Sequence, residues 1–167
     1  NQTDTLEGVD GEDKLGQAMM NFNSYNDWGT LNLFVLPYFR ERDIRGTNKR
    51  LWGGVTVLKD EATYDSSSRE RHPDLALRYN HYIDDFDFAI SHFHGTSREP
   101  RLIAATNGFV PHYDIIDQTG LELQYTSGAW LWKMEAMTRR GHGKRFFANV
   151  AGFEYTSYAM MGSAADL

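Results

Sequence analysis

The sequence contains many stretches in which apolar and polar side chains alternate. The connections between these stretches are alternately very short and long. A period of two places successive side chains on opposite faces of a β-strand. Short turns are predicted at Asn26-Asp27, Asp84-Asp85 and Ser127-Gly128, and long polar segments at roughly 42–74, 95–113 and 140–145. Tight turns at one end of the strands and larger loops at the other are typical of a β-barrel in an outer membrane.

Seven segments have the alternation and composition of strands. They are approximately 17–25, 30–41, 75–83, 86–95, 114–126, 130–139 and 146–157. Most are longer than the usual strand of ~5–6 residues and match the ~9–11 residues of a tilted strand that crosses a membrane. Pro37 falls inside the second segment, where it would remove a hydrogen-bond donor from the sheet. A short helix is expected only within 59–71.

The hairpins give a sharper test, because a two-residue loop fixes which residues face each other. With a loop at Ser127-Gly128, Tyr125 is predicted to face Trp130, and Glu122 to face Lys133 on the opposite side. The hairpins about the other two turns separate apolar from polar side chains in the same way. Each hairpin therefore has one apolar or aromatic face and one polar face.

These faces define two sets of candidate functional residues. The set expected to face lipid is Leu31, Leu33, Val35, Phe88, Ile90, Leu121, Leu123, Tyr125, Trp130, Trp132, Met134, Phe153 and Tyr155. The set expected to line a lumen and to determine its selectivity is Arg40, Arg78, Asp87, Glu122, Lys133, Glu135, Arg139 and Glu154. A soluble antiparallel sheet with one core face would alternate similarly, so strand length and the asymmetry of the loops favour the barrel.

Composition narrows the class of protein further. No run of the 167 residues approaches the ~20 consecutive apolar residues that a membrane-spanning helix needs. The net charge of −6 argues against nucleic acid as a partner, and the lack of cysteine excludes disulfides and thiolate metal sites. The sequence shows no initial Met or signal peptide and stops where another strand could begin. We therefore expect 1–167 to be part of a single outer-membrane β-barrel domain, truncated at both ends.

No group of residues predicts catalysis. Glu122 and Glu135 could be taken for the paired carboxylates of a glycosidase, but Lys133 between them indicates a neutralising ladder of charges. His92 and His94 share one face of a strand, as zinc or copper ligands can, but the sequence shows no third ligand for them. We therefore predict that the chain is not an enzyme and holds no cofactor or metal.

Basic residues cluster at the bases of two long loops, within 40–50 and 98–101. Arginines at such positions can contact the phosphates of lipopolysaccharide or steer anionic solutes. The expected partners are outer-membrane lipid, lipopolysaccharide and small hydrophilic solutes.

Five blocks of sequence carry a resemblance to a known group of proteins. They are 27–31, 34–42, 91–100, 116–120 and 152–155. Through these blocks, in this order, the chain resembles largely uncharacterised Gram-negative outer-membrane β-barrel proteins, which are similar to porins in architecture. The resemblance implies an all-β, antiparallel up-and-down transmembrane β-barrel in the bacterial outer membrane, acting as a porin-like channel or transport-related pore. It implies no solute and no catalytic residue, and an even strand number in such barrels implies strands beyond these seven.

Two other classes of protein fit parts of the pattern. A soluble β-sandwich or lipocalin-like module would enclose a core or a small ligand with its aromatic face. An outer-membrane enzyme would need an active site outside this segment, because the segment offers no nucleophile with an adjacent base.

Overall fold

The computed structural model describes residues 2–3, 14–42 and 56–157, and these residues form an all-β structure. Two single turns of 3-10 helix, Lys59–Glu61 and Arg69–Arg71, lie in the stretch where a short helix was expected. Across the described ranges there is no helix long and apolar enough to cross a membrane.

Seven of the strands form one antiparallel sheet. The strands in chain order are β1 (Gln2–Thr3), β2 (Lys14–Leu15), β3 (Met20–Asn26), β4 (Gly29–Leu36), β5 (Thr63–Tyr64), β6 (Asp74–Ile83), β7 (Phe86–Thr96), β8 (Arg101–Ala105), β9 (Gly108–Tyr113), β10 (Ile115–Ser127), β11 (Trp130–Gly141) and β12 (Gly143–Tyr155). The order across the large sheet is β12-β11-β10-β7-β6-β4-β3, which confirms the seven predicted strands and their antiparallel arrangement. Within the described residues β3 and β12 are edges, and no pairing between them closes the sheet.

The registers of the three hairpins agree with the predicted faces. The turn at Asp84-Asp85 has the predicted pairing, but the other two turns are at Asp27-Trp28 and Gly128-Ala129, one residue later than predicted. Gly128 has a φ of +59°, so it takes the first position of its turn, where a glycine adopts this conformation without strain. Tyr125 consequently faces Trp132. Because pairing moves by two residues, each side chain stays on its predicted face.

Two segments predicted as long loops contain strands. β8 and β9 form a hairpin within 95–113, and β5 joins it to complete a three-stranded sheet. This hairpin was not predicted because β8 shows no alternation of apolar and polar residues, and β9 contains Pro111, a residue type that is usually excluded from strands. The segment 140–145 is a tight connection in which His142 alone separates β11 from β12.

The large sheet has two rims, which organise the rest of the chain. We call the ends joined by the three two-residue turns the turn rim, and the opposite ends the far rim. We call the segments 37–42 and 56–73, the second of which contains β5, together with β8 and β9 the cap, which is connected to the far rim. Since β4 ends at Leu36, Pro37 lies in the cap segment and removes no hydrogen bond from the sheet.

The main cluster of buried apolar side chains lies in the cap. Phe39 and Tyr113 are almost fully buried there, with Ala62 beside them and Tyr64 packed against the group. The rings of Phe39 and Tyr113 meet edge to face, with centroids 4.8 Å apart. The faces of the large sheet bury few apolar side chains of their own, so neither face resembles the interior of a soluble domain.

Candidate functional site: two faces of the sheet and the far rim

One face of the large sheet carries every residue that was expected to face lipid. We call it the apolar face, and its registers join Leu123 to Phe88 and Met134, and Trp132 to Tyr125 and Phe153. The remaining predicted members are Leu31, Leu33, Val35, Ile90, Leu121, Trp130 and Tyr155. Trp132 is 48% exposed and Phe153 is 60% exposed, so no second layer of described residues covers this face.

The apolar side chains form an oblique band across the strands. On β12 the apolar side chains of this face extend from Phe147 to Tyr155, with their midpoint at Ala151, which lies in the row of Phe88 on β7. On β4 the midpoint is Leu33, which lies in the row of His92, four residues further along β7. The sheet advances five strand positions between β12 and β4. With a rise of ~3.4 Å per residue and ~4.8 Å between strands, the band slopes by about 30° relative to the hydrogen-bonded rows.

The opposite side of the sheet, which we call the charged face, carries most of the residues expected to line a lumen. They are Arg78, Asp87, Glu122, Lys133, Glu135, Arg139 and Glu154. Arg40 does not belong to this face, because β4 ends before it and Arg40 lies in the cap. The predicted extent of the second strand, 30–41, was wrong, and this error is what placed Arg40 on a strand face.

Ion pairs cross the charged face between strands. Arg78 Nη2 lies 2.7 Å from Glu122 Oε2, and Lys133 Nζ lies 2.6 Å from Glu154 Oε1. Glu122 lies opposite Glu135 and not opposite Lys133 as predicted, because moving the turn by one residue shifts the pairing by two. Five residues of the predicted lumen set line a concave region of about 270 Å³, namely Arg78, Asp87, Glu122, Lys133 and Glu135. Around this concavity the charged face carries both signs of charge, whereas on β12 it also carries the exposed apolar side chains of Phe146 and Val150.

The apolar face becomes polar as it approaches the far rim. His94 Nδ1 lies 2.9 Å from Asp117 Oδ1, and Arg140 Nε donates to Asp117 Oδ2 at 2.9 Å. His92 Nδ1 lies 2.9 Å from Thr119 Oγ1. The two histidines weighed as metal ligands in the sequence therefore take part in a polar belt that borders the apolar band.

A buried carboxylate ties the cap to the far rim. The Asp74 side chain is fully buried, accepts the Thr96 N–H at 2.8 Å and pairs with Arg98. The Arg98 guanidinium also lies over the Phe39 ring, 5.3 Å from its centroid. Burying a carboxylate is tolerated only when it is paired and hydrogen-bonded, as Asp74 is. Arg98, interpreted from the sequence as an outward-facing basic residue, is thus paired with a buried carboxylate, and 22% of its side chain is exposed.

Two tyrosines of the cap stay neutral far above physiological pH. Burial raises the pKa of Tyr113 to about 12, and the Arg42 N–H, which donates to its hydroxyl at 3.1 Å, opposes that rise. Burial, followed by the hydrogen bond to Glu41, raises the pKa of Tyr64 well above its ordinary value. The ionised forms are disfavoured because a phenolate would lose its hydration in this cluster.

A second polar cluster at the junction of cap and far rim was missed in the sequence. Asp65, His112 and Asp114 bring their ligand atoms within 4.8 Å of one another, and Arg101 pairs with Asp114. His112 and Asp114 are spaced two residues apart, like His92 and His94, and that spacing was the available signal. Asp65 is remote in sequence, so only the parallel pairing of β5 with β9 brings it to them.

Comparison with models of protein families, with curated proteins and with solved structures finds no match to this chain. The resemblance to Gram-negative outer-membrane barrels therefore stays a prediction. The two faces of the sheet and its far rim are the observations from which a function is argued.

Proposed function

We propose that this chain forms part of the wall of an antiparallel β-barrel in a bacterial outer membrane, and that the barrel is a channel for small hydrophilic solutes. The observation that carries the proposal is the uncovered apolar face opposite a charged face. Contiguous exposed apolar surfaces mark contacts with lipid or with other proteins, because water penalises them. Outward apolar side chains and an interior of polar side chains are the arrangement of a membrane barrel.

The slope of the apolar band supports lipid as the partner. Strands of membrane barrels tilt by ~35–45°, so a flat hydrocarbon layer meets successive strands at successive positions along their length. The band on this sheet, drawn between Ala151 and Leu33, slopes by about 30° on the spacings used above and in this respect is close to a barrel wall. A protein partner covering the face would not require the band to follow the tilt of the strands.

The borders of the band support the same partner. At the turn rim the stacked rings of Trp130 and Trp132 lie against Phe153 and Tyr155, as expected for an aromatic girdle. At the other border the polar belt about Asp117 suits the headgroup region. This orientation puts the turn rim on the periplasmic side and the cap outside the cell.

The free edges of the sheet define what else the barrel requires. Unpaired edge groups are costly in hydrocarbon, where no water satisfies them. The edges at β3 and β12 therefore pair, in this proposal, with further strands from the same polypeptide or from another copy.

Solutes would cross along the charged face, where the pairs of Arg78 with Glu122 and of Lys133 with Glu154 meet water. Charged side chains that line a pore determine which ions enter it. Reversing one charge on this face therefore changes selectivity while leaving the lipid-facing surface intact.

Single-channel recording in planar bilayers tests the channel. The variant Lys133→Glu should shift the reversal potential in a salt gradient toward cations, whereas Arg71→Glu, an equal change of charge in the cap, should shift it much less. A protein that inserts into bilayers without conductance steps, or equal shifts in both variants, would reject the channel.

A further inference from the structure

Four side chains with metal-binding donor atoms converge where the cap meets the far rim. Asp65 follows β5, His112 lies in β9, Asp114 links β9 to β10, and His142 separates β11 from β12. The four residues lie in or next to different strands, so the pairing of those strands brings them together and no single loop carries them all.

The separations of these donor atoms have the size of a metal coordination shell. His112 Nε2 lies 3.1 Å from Asp65 Oδ1 and 3.3 Å from Asp114 Oδ1. His142 Nδ1 lies 3.4 Å from Asp114 Oδ2. In tetrahedral zinc sites, whose bonds to nitrogen and oxygen are ~2.0–2.2 Å, neighbouring donor atoms are about 3.3 Å apart. Asp65, His112 and Asp114 have their ligand atoms within 4.8 Å of one another, so these three suit a zinc ion as they stand. His142 lies outside this group of three and would have to turn from Asp114 toward the ion to complete the four.

Neighbouring groups orient the ligands. His112 Nδ1 lies 2.8 Å from Thr63 Oγ1, and without an ion His112 Nε2–H donates to Asp65 Oδ1 at 3.1 Å. With an ion bound, the proton would lie on Nδ1 and be donated to the Thr63 hydroxyl, which would leave the Nε2 lone pair for the metal. Asp65 accepts the Ile115 N–H on Oδ2 at 2.9 Å, which leaves Oδ1 beside His112. Such outer hydrogen bonds accompany the ligands of most protein metal sites.

The cluster contains two carboxylates, one guanidinium and an imidazole nitrogen that makes no hydrogen bond among the described residues. Asp114 is 4% exposed, and Arg101 at 2.7 Å balances its charge, while the carboxylate of Asp65 adds a second negative charge. The Nδ1 atom of His142 is shielded from solvent and makes no hydrogen bond among the described residues. A cation between His142 and the carboxylates would satisfy both groups.

We propose that Asp65, His112, Asp114 and His142 bind a Zn²⁺ ion that fastens the cap to the far rim of the sheet. Two imidazole nitrogens and two carboxylate oxygens make a closed set of four ligands, which is the form of a structural zinc site. The ion would join the loop after β5, the link from β9 to β10 and the connection from β11 to β12. This inference is independent of the channel.

Zinc binding to the full chain, prepared without a histidine tag, tests the proposal. Competition with a chromogenic chelator should give one Zn²⁺ per chain, with affinity at least tenfold weaker in His112→Gln and Asp65→Asn. Thr63→Val, which keeps the shape of the residue, should weaken binding ~10–100-fold because it removes an outer partner. His92→Gln is the matched control, since His92 bonds to Thr119 instead, and it should leave the affinity unchanged.

Cobalt substitution supplies a second measurement that does not depend on the variants folding. Co²⁺ in the wild-type chain should give the intense visible absorption of a tetrahedral site, displaced by stoichiometric Zn²⁺. The proposal is overturned if the wild type binds no Zn²⁺, if Co²⁺ gives the weak spectrum of a six-coordinate ion, or if His92→Gln weakens binding as much as His112→Gln.

Discussion

Replacing Leu123 by arginine tests the assignment of the apolar face. Leu123 lies on β10 between Phe88 and Met134, near the middle of the apolar band on that strand. An arginine there would place its charge in hydrocarbon, at a cost of ~2–4 kcal/mol near the midplane of the bilayer.

The structure supplies two controls that separate depth from side-chain size. Ser127 is on the same face, four residues nearer the turn rim, which is about 14 Å along the strand and about 10 Å along the bilayer normal at a 40° tilt. Because the hydrocarbon half-thickness is ~15 Å, Ser127→Arg should cost only ~0–1 kcal/mol. Gln124→Arg changes the adjacent residue, but its side chain enters the charged face and should cost little.

Folding from urea into lipid vesicles, followed by tryptophan fluorescence and gel mobility, measures these free energies. The expected order of destabilisation is Leu123→Arg first, with Ser127→Arg and Gln124→Arg far behind. If Gln124→Arg costs as much as Leu123→Arg, or if the wild type folds stably without lipid, the lipid-facing assignment fails.

Two further predictions concern the far rim and the cap. Gly95→Ala should destabilise the fold by ~1–3 kcal/mol, because the new Cβ would lie 2.3 Å from the buried Asp74 carboxylate, whereas Gly152→Ala, with no atom within 4 Å, should be nearly neutral in the same urea titration. The raised pKa of Tyr113, about 12, makes its neutral form a source of stability that is fully present below pH ~10 and lost as the pH rises through 12. Absorbance at 295 nm should show this late ionisation together with loss of the fold. Because Tyr64 also ionises late, Tyr113→Phe should reduce the amplitude of the late phase by one tyrosine, and an unchanged amplitude would refute the prediction.

The two faces of the sheet were predictable from the sequence because alternation is local and robust. The turn beside Gly128 was misplaced by one residue, yet Tyr125 and Trp132 kept their faces, since the pairing moved by an even number of residues. The same one-residue error in the position of the turn did change which charged side chains were predicted to pair. Lys133 was predicted to face Glu122 but bonds to Glu154 on the next strand. Faces can therefore be assigned from periodicity, while contacts need the register.

The cap was not predictable by the same means. Its strands are short, β9 contains Pro111, and Asp65 meets His112 only through a parallel pairing with β5. No periodicity in the sequence records contacts between segments that are so far apart along the chain. The buried state of Asp74 was hidden for the same reason, since it depends on Arg98 from the opposite side of a hairpin.

The cap and the large sheet differ in what stabilises them, because most of the buried residues lie in the cap. The cap has its own aromatic cluster about Phe39 and Tyr113, sealed by Arg98, and needs no lipid to bury it. The large sheet leaves Trp132 and Phe153 about half exposed, so its apolar face gains free energy only when something other than water covers it. In the proposed barrel the sheet acquires its stability from the bilayer, so the lipid dependence of folding is the measurement that tests the membrane assignment.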